Sequence, residues 1–433
     1  MFNLIYEFKL KPTSAQIATF EEWLEQCRRV YNYALCERKH WVNSRKCPVN
    51  ACSIKSEYII PADQPAPTYN SQAVALTQAK KSIPDLKKVH SQVLQKILKR
   101  LQLAFEGMWK NGRGFPRYKK TGRMRSFVFP SMGKEPVQGN QVNLPKIGLV
   151  KFKQSRPIPE DAAIKQARIV RRASGWYVQL TLQWKVDVPF SKLPSTSLRA
   201  SPEISPTGTS LGIDIGLMHF AAASDGRTFP NPRPFKRLES KLKSLQKKAS
   251  KKRLGSKNRA KAQVKVSRLH EQIANTRKNY HWELAHNLCD WADMIFVEDL
   301  NLKGLARGML AKSCLDAGWG QFLNILQACC FKRGVYFQKV PANGTSQTCP
   351  KCLRETGKKK LSKRVHKCQH CGYVCDRDVA AAQVVEIRGL LTLSEFEREA
   401  LRRSSGQAVG HTVGRDVACY VSTEGKGHVH RRR

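Results

Sequence analysis

The stretch KCQHCGYVCDRDVAAA, residues 367–382, sets two kinds of metal chemistry side by side. Cys368 and Cys371 have the spacing of a zinc knuckle, and Asp376 and Asp378 are carboxylates a few residues further on. Upstream lies a second pair, Cys349-x2-Cys352, separated from the first by fifteen residues. Four cysteines so spaced read as a zinc ribbon, with a closed tetrahedral site that is structural rather than catalytic. The loop between the pairs, RETGKKKLSKRVHK, is basic and suits phosphates, while His370 and Cys375 read as bystanders. Asp378 opens a helix-forming run whose small residues, Ala380 to Ala382, allow close packing on a sheet. Capping that helix is the competing role for Asp378, because aspartate is a favoured N-cap residue.

Acids at such a place need a reason in a chain of 433 residues with 77 Lys and Arg, 33 Asp and Glu and a formal net charge of +44. An excess of that size favours a polyanion, and nucleic acid fits better than a membrane surface. No strongly amphipathic basic helix stands out, and no apolar run approaches the ~20 residues of a membrane span. A hydrophobic content of 41% argues for two or three domains with real cores and against wholesale disorder. The N-terminus, MFNLIYEFKLKPT, lacks a cleavable signal pattern. Cysteines at ligand spacing in a chain of this size then point to a reducing cytoplasm, and the remaining thiols read as core or loop residues.

Periodicity sketches the rest. Residues 2–10 alternate as a strand, and the following TSAQIATFEEWLEQCRRVYNYAL is helical, with Phe20, Trp23, Leu24 and Cys27 close to one face. A polar loop is expected from about 47 to 70. A second helix carries the stripe Val93, Ile97, Leu98, Leu101 and Phe105, expected to pack in a core. From GFPRYKKTGRMRSFVFP the texture turns to β, and QARIVRRASGWYVQLTLQW reads as a hairpin turning at Ser174-Gly175. A linker is expected at about 196–210. Next come two short strands in SLGIDIGLMHFAAASDGRTF, and then a helical stretch, 233–268, with fifteen Lys or Arg against Glu239 alone. A charge run so poor in acids fits phosphate contact better than a solvated face. A second helix, the buried strand MIFVEDL, a helix WGQFLNILQACCFKRG and a strand VYFQKV lead into the cysteines. Beyond 403 the chain is polar and basic, and a loosely ordered tail is expected.

Two further carboxylates sit at the ends of apolar strands: Asp214 in Gly-Ile-Asp-Ile-Gly, and Glu298 in Ile-Phe-Val-Glu-Asp-Leu. Burying a lone carboxylate is costly, so each needs a partner. Alone, Asp214 could be a turn residue and Glu298 half of an ion pair. With Asp378 the three suit Mg²⁺, a hard ion that takes oxygen ligands, and two such ions ~3.5–4 Å apart can promote phosphodiester hydrolysis.

In order along the chain, GIDIG, VEDLNLKGL and TSQTCPKC…CQHCGYVCDRDVAAA resemble the TnpB family of insertion-sequence-encoded, RNA-guided nucleases, relatives of compact type V CRISPR effectors. Weaker echoes are YEFKLKPT, YNYAL and GFPRYKK. The resemblance implies an α/β plus α+β multidomain chain. Its parts would be a first wedge strand at 1–10, a helical recognition domain at 11–112 and a wedge β-barrel at 113–203. A RuvC-like nuclease domain of RNase H type would follow at 204–402, with the zinc ribbon at 343–376, and the tail would occupy 403–433. It assigns the catalytic, Mg²⁺-binding triad to Asp214, Glu298 and Asp378, and structural Zn²⁺ to Cys349, Cys352, Cys368 and Cys371. The implied partners are a guide RNA from the transposon end and a double-stranded DNA target read beside a short adjacent motif. Arg117, Lys119, Lys120, Arg277, His281 and Arg377 are expected nucleic-acid contacts, and a nucleoid-associated cytoplasmic location follows. Two positions depart from the family pattern: Ala380 stands where asparagine is usual, and Leu353 where glycine is usual. The rival readings are a DNA-only transposase or resolvase, a guided repressor that does not cut, and a compact CRISPR effector.

Overall fold

The N-terminal alternation does form a strand, β1 (Phe2–Lys11), and its position is decided by partners far along the chain. In this computed structural model, residues 2–46, 60, 63–133, 135–160, 162–184, 208–359 and 363–393 are described. The expected tail at 403–433 and all but the last three residues of the expected linker lie outside them. The chain divides into two units, Met1–Val188 and Pro189–Arg433.

In the first unit β1 joins β2 (Ser126–Phe129), β3 (Val137–Gln138), β4 (Gln141–Leu144), β5 (Gly148–Lys153), β6 (Ala163–Arg172) and β7 (Gly175–Trp184). Their order is β2-β6-β7-β1-β5-β4-β3. β1 pairs antiparallel with β7 over Phe2 to Lys9 and with β5 over Lys9 to Lys11, so it hands over from one neighbour to the other. The β6–β7 hairpin turns through Ala173-Ser174, one residue earlier than expected, with Arg172 opposite Gly175.

Between β1 and β2 the chain is helical. Helix α1 (Ser14–Lys46) opens on a reciprocal cap, in which Gln16 N–H donates to Thr13 Oγ1 and Thr13 N–H to Gln16 Oε1. It runs past the expected Leu35 because no glycine or proline interrupts it before Pro48. α2 (Tyr69–Ser82) and α3 (Pro84–Lys88) went unread in the sequence. α2 buries only Gln72 and Leu76, too few for a visible stripe. α4 (Ser91–Asn111) buries Val93, Ile97, Leu98, Leu101 and Phe105, as its periodicity predicts. Trp23 of α1 meets Phe127 and Phe129 of β2 at 5.5 and 5.9 Å, so helices and sheet share one core.

The second unit carries β8 (Ser210–Ile215), β9 (His219–Ala223), β10 (Thr228–Pro230), β11 (Met294–Glu298) and β12 (Tyr336–Val340) in the order β10-β9-β8-β11-β12. The first three form an antiparallel meander, one strand more than the sequence reading gave, while β11 runs parallel to both β8 and β12. All five residues of β11 are buried because both of its faces are covered. Ile295 and Val297 face α6 (Lys257–Trp291) and α9 (Trp319–Arg333); Met294 and Phe296 face α10 (Arg377–Leu391). α5 (Pro234–Ser250) and α6 form a hairpin with its own apolar seam of Leu242, Ala249, Val266, Leu269 and Ile273. Its lysines and arginines are nearly all exposed. Two short helices, α7 (Leu302–Leu305) and α8 (Ala311–Ala317), follow β11. The strands β13 (Val365–Lys367) and β14 (Val374–Asp376) belong to the cysteine module. Among the described residues, no helix is long and apolar enough to cross a membrane.

Candidate active site

Side chains alternate across a strand, so the β8–β11 register decides which residues share a face. Phe296 is opposite Gly212 and Val297 opposite Ile213. One step on, Asp214 and Glu298 lie side by side at the carboxyl ends of adjoining parallel strands, where ligands gather in sheets of this kind. By the same alternation both side the α10 face, with Gly212 and Phe296. Gly212 has a specific reason to be glycine: a Cβ there would stand 2.1 Å from Ala382 O and 2.6 Å from Glu386 N. The helix backbone lies directly on the strand, with the small residues Ala380, Ala381 and Ala382 buried beneath it. Asp378 is one helical turn before Ala382, at the end of the helix nearest Asp214.

The competing cap role for Asp378 falls to Asp376. Its Oδ1 accepts from the backbone N–H of Asp378 at 2.8 Å and of Val379 at 3.2 Å, which leaves the Asp378 side chain free of that duty. The cap is the last residue of β14, so the cysteine module runs without a break into the helix that carries Asp378.

Asp214 feels the other two acids. Desolvation, then repulsion from Glu298 and Asp378, pushes the Asp214 carboxyl well above the ordinary carboxylate range; the Ile215 N–H and Arg377 offset this only in part. Burial raises Glu298 as well, against a hydrogen bond from Thr345 and the charge of Arg388. Thr345, itself buried, donates to Glu298 Oε1 and fixes that carboxylate from the 3₁₀ turn Thr345–Gln347. The fully exposed strand end is thus not where these acids sit, and a cation would relieve them. Hard oxygen donors of this kind fit Mg²⁺. Their oxygens do not all lie within 4.8 Å of one another, which a shell around a single ion would favour and a wider two-ion arrangement does not require.

The cysteine quartet is tighter. Among the described residues it is the group of three or more metal-ligating side chains whose donor atoms all lie within 4.8 Å of each other. Cys349 and Cys371 Sγ are 3.6 Å apart, as are Cys352 and Cys368, too far for disulfides and close to the ~3.8 Å edge of a tetrahedron with ~2.3 Å metal–sulfur bonds. The His370 N–H donates to Cys368 Sγ at 3.4 Å. Leu353, the departure after the first knuckle, has φ 58°, the left-handed conformation that glycine adopts without strain.

The expected nucleic-acid contacts divide. Arg117 and Lys120 are exposed and Lys119 half-buried, all on the first unit. Arg377 is half-buried, its N–H donating to Arg364 O at 2.7 Å, and Arg364 comes within 4.0 Å of Asp378. His281 must be corrected: it is fully buried between Phe220 and Phe322, with Nε2 3.0 Å from Ala317 O. Burial holds its imidazole down at about 4, so it is neutral. Arg277, one turn away, gives Nε to Asp316 O at 2.7 Å and Nη2 to Asp316 Oδ1 at 3.2 Å. Both side chains pin the 316–318 turn to α6; helical spacing could not show that this face points inward. Asp316 in turn accepts from the Phe235 and Lys236 N–H groups in the first turn of α5.

Comparison with known proteins bears on these elements. The family profile described as "Probable transposase" matches 185–309, "Cas12f1-like, TNB domain" matches 319–385, and "Helix-turn-helix domain" matches 1–47. Within that last stretch the described residues form β1 and one unbroken helix, without a helix-turn-helix. A relative from Escherichia coli K12 named "Putative RNA-guided DNA endonuclease InsQ" is 26% identical over 409 residues, 90% of this chain and 93% of its own. One from Streptomyces pristinaespiralis, "Putative RNA-guided DNA endonuclease", is 28% identical over 395 residues, 89% of each chain. A solved structure, "Structure of the mini-RNA-guided endonuclease CRISPR-Cas_phi3", is 10% identical with a TM-score of 0.42, over 88% of this chain and 91% of that one. Set beside the ordered motifs, these profiles and relatives make the chain similar to the TnpB family along most of its length.

Proposed function

We propose that the protein is an RNA-guided DNA endonuclease of a transposable element, cutting duplex DNA beside a short adjacent motif. The observation that carries this reading is the convergence of Asp214, Glu298 and Asp378 from two parallel strands and a helix onto one face, where burial and the charges of the other two acids hold the Asp214 carboxyl well above its ordinary range. The strand order, an antiparallel meander followed by two parallel strands, supports an RNase H-type, RuvC-like nuclease domain in the second unit. The strand-helices-strands order of the first unit supports a wedge domain with an inserted helical recognition domain. The names of the relatives support the RNA guide and the DNA target.

Asp214, Glu298 and Asp378 would hold Mg²⁺, and Cys349, Cys352, Cys368 and Cys371 would hold Zn²⁺. Bound Mg²⁺ supplies an activated water and charge stabilisation at the leaving oxygen. The chain's own residues do the rest. Thr345 orients Glu298, Gly212 admits the helix, and Asp376 caps it so that Asp378 projects toward β8. Arg364 and Arg377 place positive charge at the rim, where a phosphate backbone would lie. The test is to purify the protein from its native locus and sequence the RNA that accompanies it. A single structured species running from the element's end into flanking sequence supports the reading, and should direct Mg²⁺-dependent cutting of a matching target. Background RNA alone moves the weight to a DNA-only nuclease.

A further inference from the structure

We infer that the surface around Trp109 and Tyr118 in the first unit seats unpaired bases of the RNA partner by stacking; this rests on the RNA-guided reading above. Trp109, near the end of α4, is 64% exposed and Tyr118 is 44% exposed. Large rings left in water beside a well-filled core call for a partner. Neither ring is loose. Trp109 rests on buried Phe105, ring centroids 5.6 Å apart, and Phe115 meets Phe105 edge-on at 5.4 Å. The segment carrying Tyr118 has no regular structure, yet it is tied to α1: Lys119 N–H donates to Asn32 Oδ1 at 2.8 Å, and Asn32 Nδ2 donates back to Lys119 O at 2.9 Å. A platform ordered before binding loses little entropy when a ligand arrives.

Charge identifies the occupant. Residues 110–125 hold seven Lys or Arg and no acid. Seven cations in sixteen residues repel a second copy of this chain and attract phosphates. Exposed aromatic rings interleaved with cations, here with Lys39 Nζ 5.4 Å from the Tyr118 ring centroid, are what an unpaired strand needs, since stacking takes the base and the cations take the backbone. A duplex offers no free base face. The target DNA is met first as a duplex, one strand then pairs with the guide and the other is bare only while a target is held, whereas the loops and ends of a folded RNA stay unpaired throughout. The RNA is therefore the occupant.

The test uses the full chain carrying Asp214→Ala, so that cutting plays no part, stripped of its RNA by high salt. The probes are a fluorescein-labelled RNA hairpin with a single-stranded loop, a blunt RNA duplex, and a single-stranded DNA of the loop sequence. Adding Trp109→Ala should weaken binding of the looped RNA by roughly 5- to 100-fold and leave the salt dependence unchanged. Trp109→Phe should retain most of the affinity. Arg117→Gln should instead flatten the salt dependence, by about 0.7 in log–log slope. An unchanged affinity with Trp109→Ala, an equal loss on the blunt duplex, or an equal loss on the DNA strand would each overturn the inference. If the parent protein bound none of these RNAs, the RNA-guided reading would fall with it; normal parent binding untouched by Trp109→Ala sinks this surface alone.

Discussion

The cysteine quartet and the carboxylate triad are both candidate sets of metal ligands in one unit, and they are built in opposite ways. The four thiols come from two knuckles within 23 residues, and local turns bring their sulfurs within 4.8 Å of each other. The three acids come from β8, β11 and α10, spread from residue 214 to residue 378. They meet only because a strand order, a register and a helix on a glycine agree. The quartet is stable chemistry near its own sequence; the triad is repulsion held in place by the rest of the fold. The two also touch: β14 ends in Asp376, the cap that sets the helix bearing Asp378.

That contrast can be broken most sharply at Asp214. Asp214→Asn should lower cleavage by on the order of 10³-fold or more while RNA binding stays near normal. Because the folded state raises this carboxyl, its ionised form costs stability at any pH above its unfolded value, 3.8. The same variant should therefore melt higher than the parent at neutral pH without divalent cation, by on the order of 1 kcal/mol. A lower melting point would make Asp214 a structural residue.

Next comes a paired test of local against tertiary construction. Gly212→Ala pushes a methyl into the Ala382 carbonyl and should destabilise the second unit by about 3 kcal/mol, moving the helix and Asp378 with it. Cys368→Ser should abolish binding of one zinc per chain, read by elemental analysis, while amide exchange in β8 and β11 stays slow. Fast exchange in those strands after Cys368→Ser would show that the ribbon is not a local structure.

His281 tests how far burial, rather than motif, sets the second unit. Its folded value of about 4 lies below its ordinary 6.5, so the unfolded chain takes the proton first as the pH falls. The stability it protects is complete above 6.5 and is lost toward 4, by up to roughly 3 kcal/mol. Asp214 and Glu298 act in the opposite sense, so the readout is the difference in denaturation slope between the parent and His281→Gln. Identical slopes would mean that His281 is solvated after all. The smallest effect belongs to Thr345→Val, which removes the hydroxyl holding Glu298. About tenfold in cleavage is expected, with the melting temperature nearly unchanged. A change in stability alone would make Thr345 a packing residue.

What the sequence by itself determined is what repeats at short range. The knuckle spacing gives the quartet, period 3.6 gives the stripe on α4, period 2 gives β1 and the β6–β7 hairpin, and the unbalanced cations give the exposed α5–α6 face. Acids at the ends of apolar strands singled out Asp214 and Glu298 beside Asp378, and motif resemblance gave the three one role, yet period and spacing alone could not bring them together. Only the tertiary structure decided that Asp376, not Asp378, caps the helix, and that Arg277 and His281 turn inward to hold the 316–318 turn. It also decided that Thr345 supports Glu298 and that Gly212 exists for the approach of Ala382. Turns, caps and periods depend on residues a few positions apart, whereas a face, a burial and a convergence depend on which distant strand or helix lies alongside.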